Sequence, residues 1–297
     1  MQDARPADGS EGFAPKGSDA PDLGGSDASE RSHPTWRRPS SRRARARHRT
    51  RLLNAEVDHV TMDELLERRE GTILTLHVQM LAMLQEDPEF YRLLHQFDVV
   101  TCDSQILYFF ARLRRTGLPE RVSGSDYFPA FYQRWADDPE VTIFLLGAME
   151  GVGARAAERI NAKVGREIVV GVDSPPFGFM DDPAEIERII AKVNASGATV
   201  LVVGLGAGLQ ERFIMTHRDA LTTAKLFLPL GGTIDYESGE ARRPPAWVTD
   251  VGMEWLWRVA LDPKRRWHRY FVVQPPMLWQ LVRQVLGRYR DPFAGTV

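Results

Sequence analysis

The sequence predicts an α/β fold: a mainly parallel, Rossmann-like sheet with helices on both faces, followed by a helical C-terminal appendage. Three observations predict it. From about residue 52, short apolar runs alternate with amphipathic stretches of about ten to fifteen residues. Several of those runs end in glycine or polar residues, as strands do when they lead into ligand-binding turns. The last fifty or so residues then change to tryptophan-rich, basic helical patterns.

The strand candidates, in order, are Thr72–Leu76, Asp98–Thr101, Thr142–Leu146, Glu167–Val170, Thr199–Val203 and Lys225–Leu228. Between them lie helical patterns such as Gly153–Lys163 and Pro183–Asn194, with alanine or isoleucine at helical spacing and charges opposite. Such alternation favours parallel pairing with crossover helices. No internal repeat is visible.

Residues 1–50 read as a disordered, arginine-rich tail, residues 51–246 as the α/β domain, and residues 247–297 as the helical appendage. The tail is rich in Gly, Pro, Ser, Asp and Ala, and offers few apolar groups to offset the entropy of ordering. It lacks the apolar core of a secretory signal. The formal charge of −2 conceals two basic segments. One is Trp36–Arg51; the other is Lys264–Arg269, followed by Arg283, Arg288 and Arg290. Such clusters fit anionic lipid, nucleic acid or an acidic partner, and a solvated tail or helix face competes with each.

Cys102 is the single cysteine, so no intramolecular disulfide forms and a reducing, cytoplasmic compartment fits. No window approaches the roughly 18–20 apolar residues of a membrane span, which leaves peripheral membrane contact. In the C-terminal region, Trp247, Val251, Trp255 and Val259 make one helical stripe, read first as core. Leu278, Leu281, Val282, Val285 and Leu286 make another apolar face, interrupted by arginine, of the kind that lies in a bilayer interface.

Parallel sheets bind ligands beyond the C-terminal ends of their strands, which ranks the polar residues. Thr75 and His77 close the first strand, and Asp103 follows the second. A carboxylate at that position can act as a general base, and a helix N-cap is the competing role. Arg121 precedes Gly124, Ser125 and Asp126 in the loop PERVSGSD; a guanidinium there suits bidentate phosphate binding, with a surface ion pair as the alternative. Ser125 and Asp126 stand at a helix start, where both can cap it.

The run ATVLVVGLGAGLQ carries Gly204, Gly206 and Gly208, which let a backbone approach a ligand, and then the polar pair Gln210 and Glu211. Its spacing does not fit the six-position dinucleotide fingerprint. After the last strand, Asp235 and Arg243 lie in a long Gly- and Pro-rich segment. Metal binding is not expected. No cysteine or histidine cluster has ligand spacing, and Asp137-Asp138 and Asp181-Asp182 are not D-x-D.

Taken in order, these segments resemble the bacterial WecG/TagA/CpsF glycosyltransferases over roughly residues 52–275. The resemblance rests on PERVSGSD (Pro119–Asp126), FLLGAMEGVGARAAERI (Phe144–Ile160), VVGLGAGLQE (Val202–Glu211) and GGTIDYESGEARRPPAWVTDVGMEWLWR (Gly231–Arg258). It implies an inverting transfer, without cofactor or metal, of an N-acetylmannosamine-like sugar. The donor would be a UDP-sugar and the acceptor a polyprenyl-diphosphate-linked sugar, at the inner face of the plasma membrane.

By the same resemblance, Asp103 is the catalytic base, and Thr75, His77, Arg121, Asp126, Gly204, Gly206, Gln210, Glu211, Asp235 and Arg243 line the substrate pocket. Where the family has asparagine this chain has His77, and where the family has Pro-Asp-Gly it has Cys102-Asp103-Ser104, departures that bear on the donor sugar. The basic C-terminal segment, with Arg242, Arg243, Lys264, Arg265 and Arg266, would meet the lipid diphosphate and the membrane surface. No nucleic acid partner is implied, and the oligomeric state, a homo-oligomer included, stays open.

Two other classes compete. A nucleotide-dependent oxidoreductase would use the glycine turn, but it should carry an acidic residue about 20 positions further on, and KLFLPLGG offers none. A non-enzymatic membrane-surface adaptor would use the basic ends and leaves Asp103, Arg121 and Gln210 without a role.

Overall fold

The computed structural model describes residues 48–113, 117–243, 245, 248, 254–261, 271–272 and 274–295, all within one compact unit, Arg45–Val297. Positions 1–47, Trp247, Val251, the side chain of Trp255, and Lys264–Arg269 therefore lie outside the described residues.

A short antiparallel hairpin comes first, β1 (Arg49–Leu52) and β2 (Ala55–Asp58). The sequence reading gave no strand there. Its residues alternate charged and apolar over only four positions, too short a run to stand out, and Leu53 turns the chain with φ 54°. Helix α1 (Met62–Leu66) follows, closed by a Thr61/Glu64 capping box.

The six anticipated strands then appear as β3 (Gly71–Leu76), β4 (Val99–Cys102), β5 (Ile143–Gly147), β6 (Val169–Asp173), β7 (Val200–Gly204) and β8 (Leu226–Pro229). They form one parallel sheet in the order β4-β3-β8-β7-β5-β6. The helices between them are α2 (Val78–Glu86), α3 (Pro88–Leu94), α4 (Gln105–Leu113), α5 (Gly124–Arg134), α6 (Val152–Val164), α7 (Pro183–Ala195) and α8 (Leu209–His217), and α9 (Thr233–Ser238) follows the last strand. Among the described residues, two more helices follow, α10 (Glu254–Leu261) and α11 (Gln274–Val285). The expected α/β class with a C-terminal helix is what the chain adopts.

Period-two alternation sends neighbouring strand residues to opposite faces. Leu74, Leu76, Val100, Leu201, Val203 and Phe227 face one way, where they meet α2, α3, α4, α7, α8 and α11. Ile73, Val99, Leu145, Val200, Val202 and Leu228 face the other way, under α1, α5, α6 and α9. With both faces covered, these strands read as nearly unbroken apolar runs, which is why they were legible.

The apolar stripe of the C-terminal helix divides. Leu281 of α11 is buried, with Met277, in the same cluster as Leu107, Leu84 and Phe90, and Leu278 packs against it, so that part of the stripe lies on the protein while Val285 and Leu286 stay exposed. The Gln284 side chain fixes the docking, its Oε1 accepting from Leu53 N at 2.9 Å and its Nε2 donating to Arg51 O at 3.3 Å. Tyr289 Oη donates to Gln85 Oε1 at 2.7 Å, and Arg51 pairs with Asp291 at 2.5 Å. An apolar stripe reports that a helix face is covered and not by what.

Candidate active site

Most of the predicted site residues stand along the C-terminal rim of the sheet, where β4, β3, β8 and β7 end. In the β3/β4 register, Thr75 lies opposite Thr101 and Leu76 opposite Cys102. Beyond it, Asp103 N donates to Leu76 O at 3.0 Å, so the two chains leave the sheet side by side. The Ser104 carbonyl accepts from Tyr108 N at 3.0 Å, which makes Ser104 the main-chain N-cap of α4 and puts Asp103 one residue outside the helix. His77 holds the N-cap position of α2, next to the Asp103 loop. Burial pushes the Cys102 thiol up to about 12, so the sulfur beside Asp103 stays protonated.

Arg121 reaches this loop. Its Nη1 donates to the Asp103 carbonyl at 2.9 Å, and its Nη2 lies 3.4 Å from Asp126 Oδ2. Asp126 in turn accepts from Ser123 Oγ at 2.6 Å, and Ser123 Oγ caps α5 by accepting from Asp126 N at 3.2 Å. Gly124 makes the junction with the sheet. A Cβ there would stand 2.9 Å from Leu230 Cδ2 and 3.2 Å from Thr75 Oγ1, so the start of α5 presses closely against the ends of β3 and β8.

The glycine-rich turn after β7 has more internal structure than its sequence suggests. Gln210 and Glu211 are buried. Gln210 Oε1 accepts from Gly231 N at 3.1 Å and its Nε2 donates to Glu211 Oε1 at 2.7 Å. Glu211 Oε2 accepts from Gly208 N at 2.5 Å, so the amide that the sequence left open for an anion is met from inside the helix. Burial raises the Glu211 carboxyl to about 7, against the bonds from Gln210 and Gly208 that favour its charged form. A Cβ on Gly204 would stand 2.9 Å from both Gly231 O and Ile234 Cδ1, which ties the turns after β7 and β8 together. Gly206, by contrast, faces open space.

Past β8, Asp235 sits on α9 with Oδ2 3.6 Å from where a Cβ on Gly232 would be. Arg243 Nη2 donates to Ser125 O at 2.6 Å and to Glu237 Oε1 at 3.0 Å. Glu237, 3% exposed, also accepts from Tyr132 Oη at 2.9 Å and Lys163 Nζ at 2.7 Å. Sequence reading missed Glu237 and Ser123. Glu237 lies inside a motif whose charged residues look solvent-facing, and only its i+6 arginine hinted at a partner.

The structure thus forms two bonded groups on this rim, Asp103, Arg121, Asp126 and Arg243 around the start of α5 and Gln210 and Glu211 around the start of α8, with Thr75, His77, Gly204 and Asp235 on the same strand-end loops and turns. Among the described residues, no three His, Cys, Asp or Glu side chains gather as a metal-ligand set. None of the described helices is long and apolar enough to cross a membrane. The model of the Glycosyl transferase WecG/TagA/CpsF family matches residues 50–291.

Proposed function

The chain belongs to the WecG/TagA/CpsF glycosyltransferase family, and from that premise we propose that it moves an N-acetylmannosamine-like sugar from a UDP-sugar to a polyprenyl-diphosphate-linked acceptor, with inversion at the anomeric carbon. The family match favours this reading over the oxidoreductase and adaptor alternatives. The observation that carries the mechanism is the bond from Arg121 to the Asp103 carbonyl, which holds a carboxylate and a guanidinium in one corner of the rim.

Asp103 takes the proton of the acceptor hydroxyl as its oxygen attacks the anomeric carbon from the side opposite UDP. One C–O bond forms while the bond to the UDP β-phosphate breaks, and the electron pair leaves with UDP. Arg121 offsets the charge growing on that diphosphate, a task for a donor already in place before the reaction. Thr75 and Asp235 orient sugar or uridine groups. Gln210 and Glu211 act one step back by fixing the Gly208 and Gly231 amides that shape the pocket wall. His77, larger than the family's asparagine and bearing an imidazole in place of an amide, tunes the choice of donor.

The acceptor is a membrane lipid, so the enzyme works at the inner face of the plasma membrane, with the basic C-terminal segment against the lipid diphosphate. The test is transfer by full-length protein from UDP-N-acetylmannosamine and related UDP-sugars to a polyprenyl-diphosphate-linked acceptor, read as UDP release and product mass. Asp103→Asn is expected to lower kcat by about 10²–10⁴ while leaving UDP affinity, read by calorimetry, unchanged. Unchanged turnover rejects Asp103 as the base.

A further inference from the structure

With the Leu281 face of α11 turned into the core, a different surface is left for the membrane. On α4, Leu107 and Ala111 are buried one turn apart, while Phe109 and Leu113, also one turn apart on the opposite side, are 56% and 51% exposed. On α11, Met277 and Leu281 are buried while Trp279 is 61% exposed, and Leu286, in the turn just past the helix, is 58% exposed. Both helices lean on the same core cluster and touch each other, so these outward faces look away from one core. Large apolar side chains left this exposed on two adjoining helices are unusual on a soluble surface.

The two sequence segments that carry these faces bear only basic charge. The stretch from Gln105 to Leu118 contains Arg112, Arg114 and Arg115, and that from Phe271 to Arg290 contains Arg283, Arg288 and Arg290, with no acidic residue in either. Arg112, Arg288 and Arg290 are exposed. Apolar side chains flanked by arginines are the composition of a surface that inserts shallowly into anionic lipid, each basic residue adding to the attraction. A second copy of this chain fits less well, because a twofold pairing of the face would set its arginines against themselves.

We propose that the outward faces of α4 and α11 together form a docking surface for an anionic phospholipid bilayer, with Phe109, Leu113, Trp279 and Leu286 as the inserting residues. This deepens the acceptor side of the proposed function. Helix α4 starts two residues after Asp103 and, at nine residues, is about 13 Å long. Docking its outer face brings the base to within about that distance of the headgroups, where a lipid-linked diphosphate ends.

The experiment reads binding and not turnover, so its failure is separable from failure of the transfer reading. Cys102 is buried, which lets an environment-sensitive fluorophore be placed selectively on full-length Phe109→Cys. Vesicles of phosphatidylcholine with phosphatidylglycerol are expected to shift its emission to the blue, and phosphatidylcholine alone to leave it unchanged. In co-sedimentation with the mixed vesicles, the double variant Phe109→Ser, Leu113→Ser is expected to bind at least tenfold more weakly than the wild type. No emission shift, an equal shift with neutral vesicles, or equal binding by the double variant overturns the proposal. So does a wild-type dimer that the double variant splits, in sedimentation velocity, without loss of vesicle binding.

Discussion

Helices α5 and α8 both begin at the C-terminal rim, yet their first turns are finished in opposite ways. At α5 the cap is Ser123, and two guanidiniums attend the turn, Arg121 near Asp126 and Arg243 on the Ser125 carbonyl. At α8 no side chain caps from outside; Glu211 brings a carboxylate back to the Gly208 amide, and Gln210 locks it to the turn after β8. Both corners hold carboxyl groups, but at α5 they stand against guanidiniums that a ligand can share, whereas at α8 the carboxyl fills the turn itself. A glycine-rich strand-to-helix turn is thus not by itself a phosphate cradle; what matters is whether its amides are already taken. The leaving diphosphate of the proposed reaction accordingly belongs at the α5 corner, with the α8 turn as a wall.

The largest expected effect follows from that assignment. Arg121→Ala should lower kcat/KM by about 100- to 1000-fold, or about 3–4 kcal/mol of transition-state stabilisation, with a melting temperature close to wild type. Arg121→Lys should recover only part, because an ammonium cannot make the same forked contacts. Steady-state kinetics alongside thermal unfolding separates the two. A tenfold or smaller loss for Arg121→Ala would move the diphosphate away from this corner.

The α8 corner should respond in stability, and to pH. The Glu211 carboxyl, raised by burial from an ordinary 4.5 to about 7, keeps its proton in the folded protein over a range where the unfolded chain has released it. Its contribution is therefore fully present below about 4.5 and is lost as pH rises through about 7. Glu211→Gln keeps an acceptor for the Gly208 amide and removes the titration. Relative to that variant, the wild type should lose about 2.5 kcal/mol between pH 5 and pH 8 in urea unfolding. Parallel pH profiles would mean that the buried carboxyl is charged throughout and that the corner is less closed than its geometry.

These contrasts show why some of the molecule was legible and some was not. Strands β3 to β8 announced themselves because both sheet faces are covered; Asp103 stood out just beyond a strand end, Thr75 at the close of one, and Arg121 in a glycine-containing loop before a helix. The roles of Gln210 and Glu211 did not follow, since a polar pair at a helix start is ordinarily exposed and only the approach of Gly231 buries it. The α11 stripe was visible as a stripe, yet its partner was not, because Leu278 and Leu281 would satisfy a bilayer or a core equally. Hairpin β1–β2 went unread for a related reason: its four-residue strands are held by α11 and Asp291, some 230 residues away. Long-range pairing leaves no local pattern.

The smallest effect concerns what holds the second arginine of the α5 corner. Glu237 accepts from Tyr132, Lys163 and Arg243, and Arg243 in turn reaches Ser125. Lys163 and Arg243 are each roughly two-fifths exposed, so solvent screens much of the charge that Glu237→Gln would leave unbalanced. The cost should be about 1–2 kcal/mol in urea unfolding, smaller than breaking a fully enclosed pair. If the carboxylate serves the site by placing Arg243, Glu237→Gln and Arg243→Gln should each lower kcat/KM severalfold, and the double variant should be no worse than either. Additive losses would show that the two residues act separately, and the α5 corner would then owe its charge to Arg121 alone.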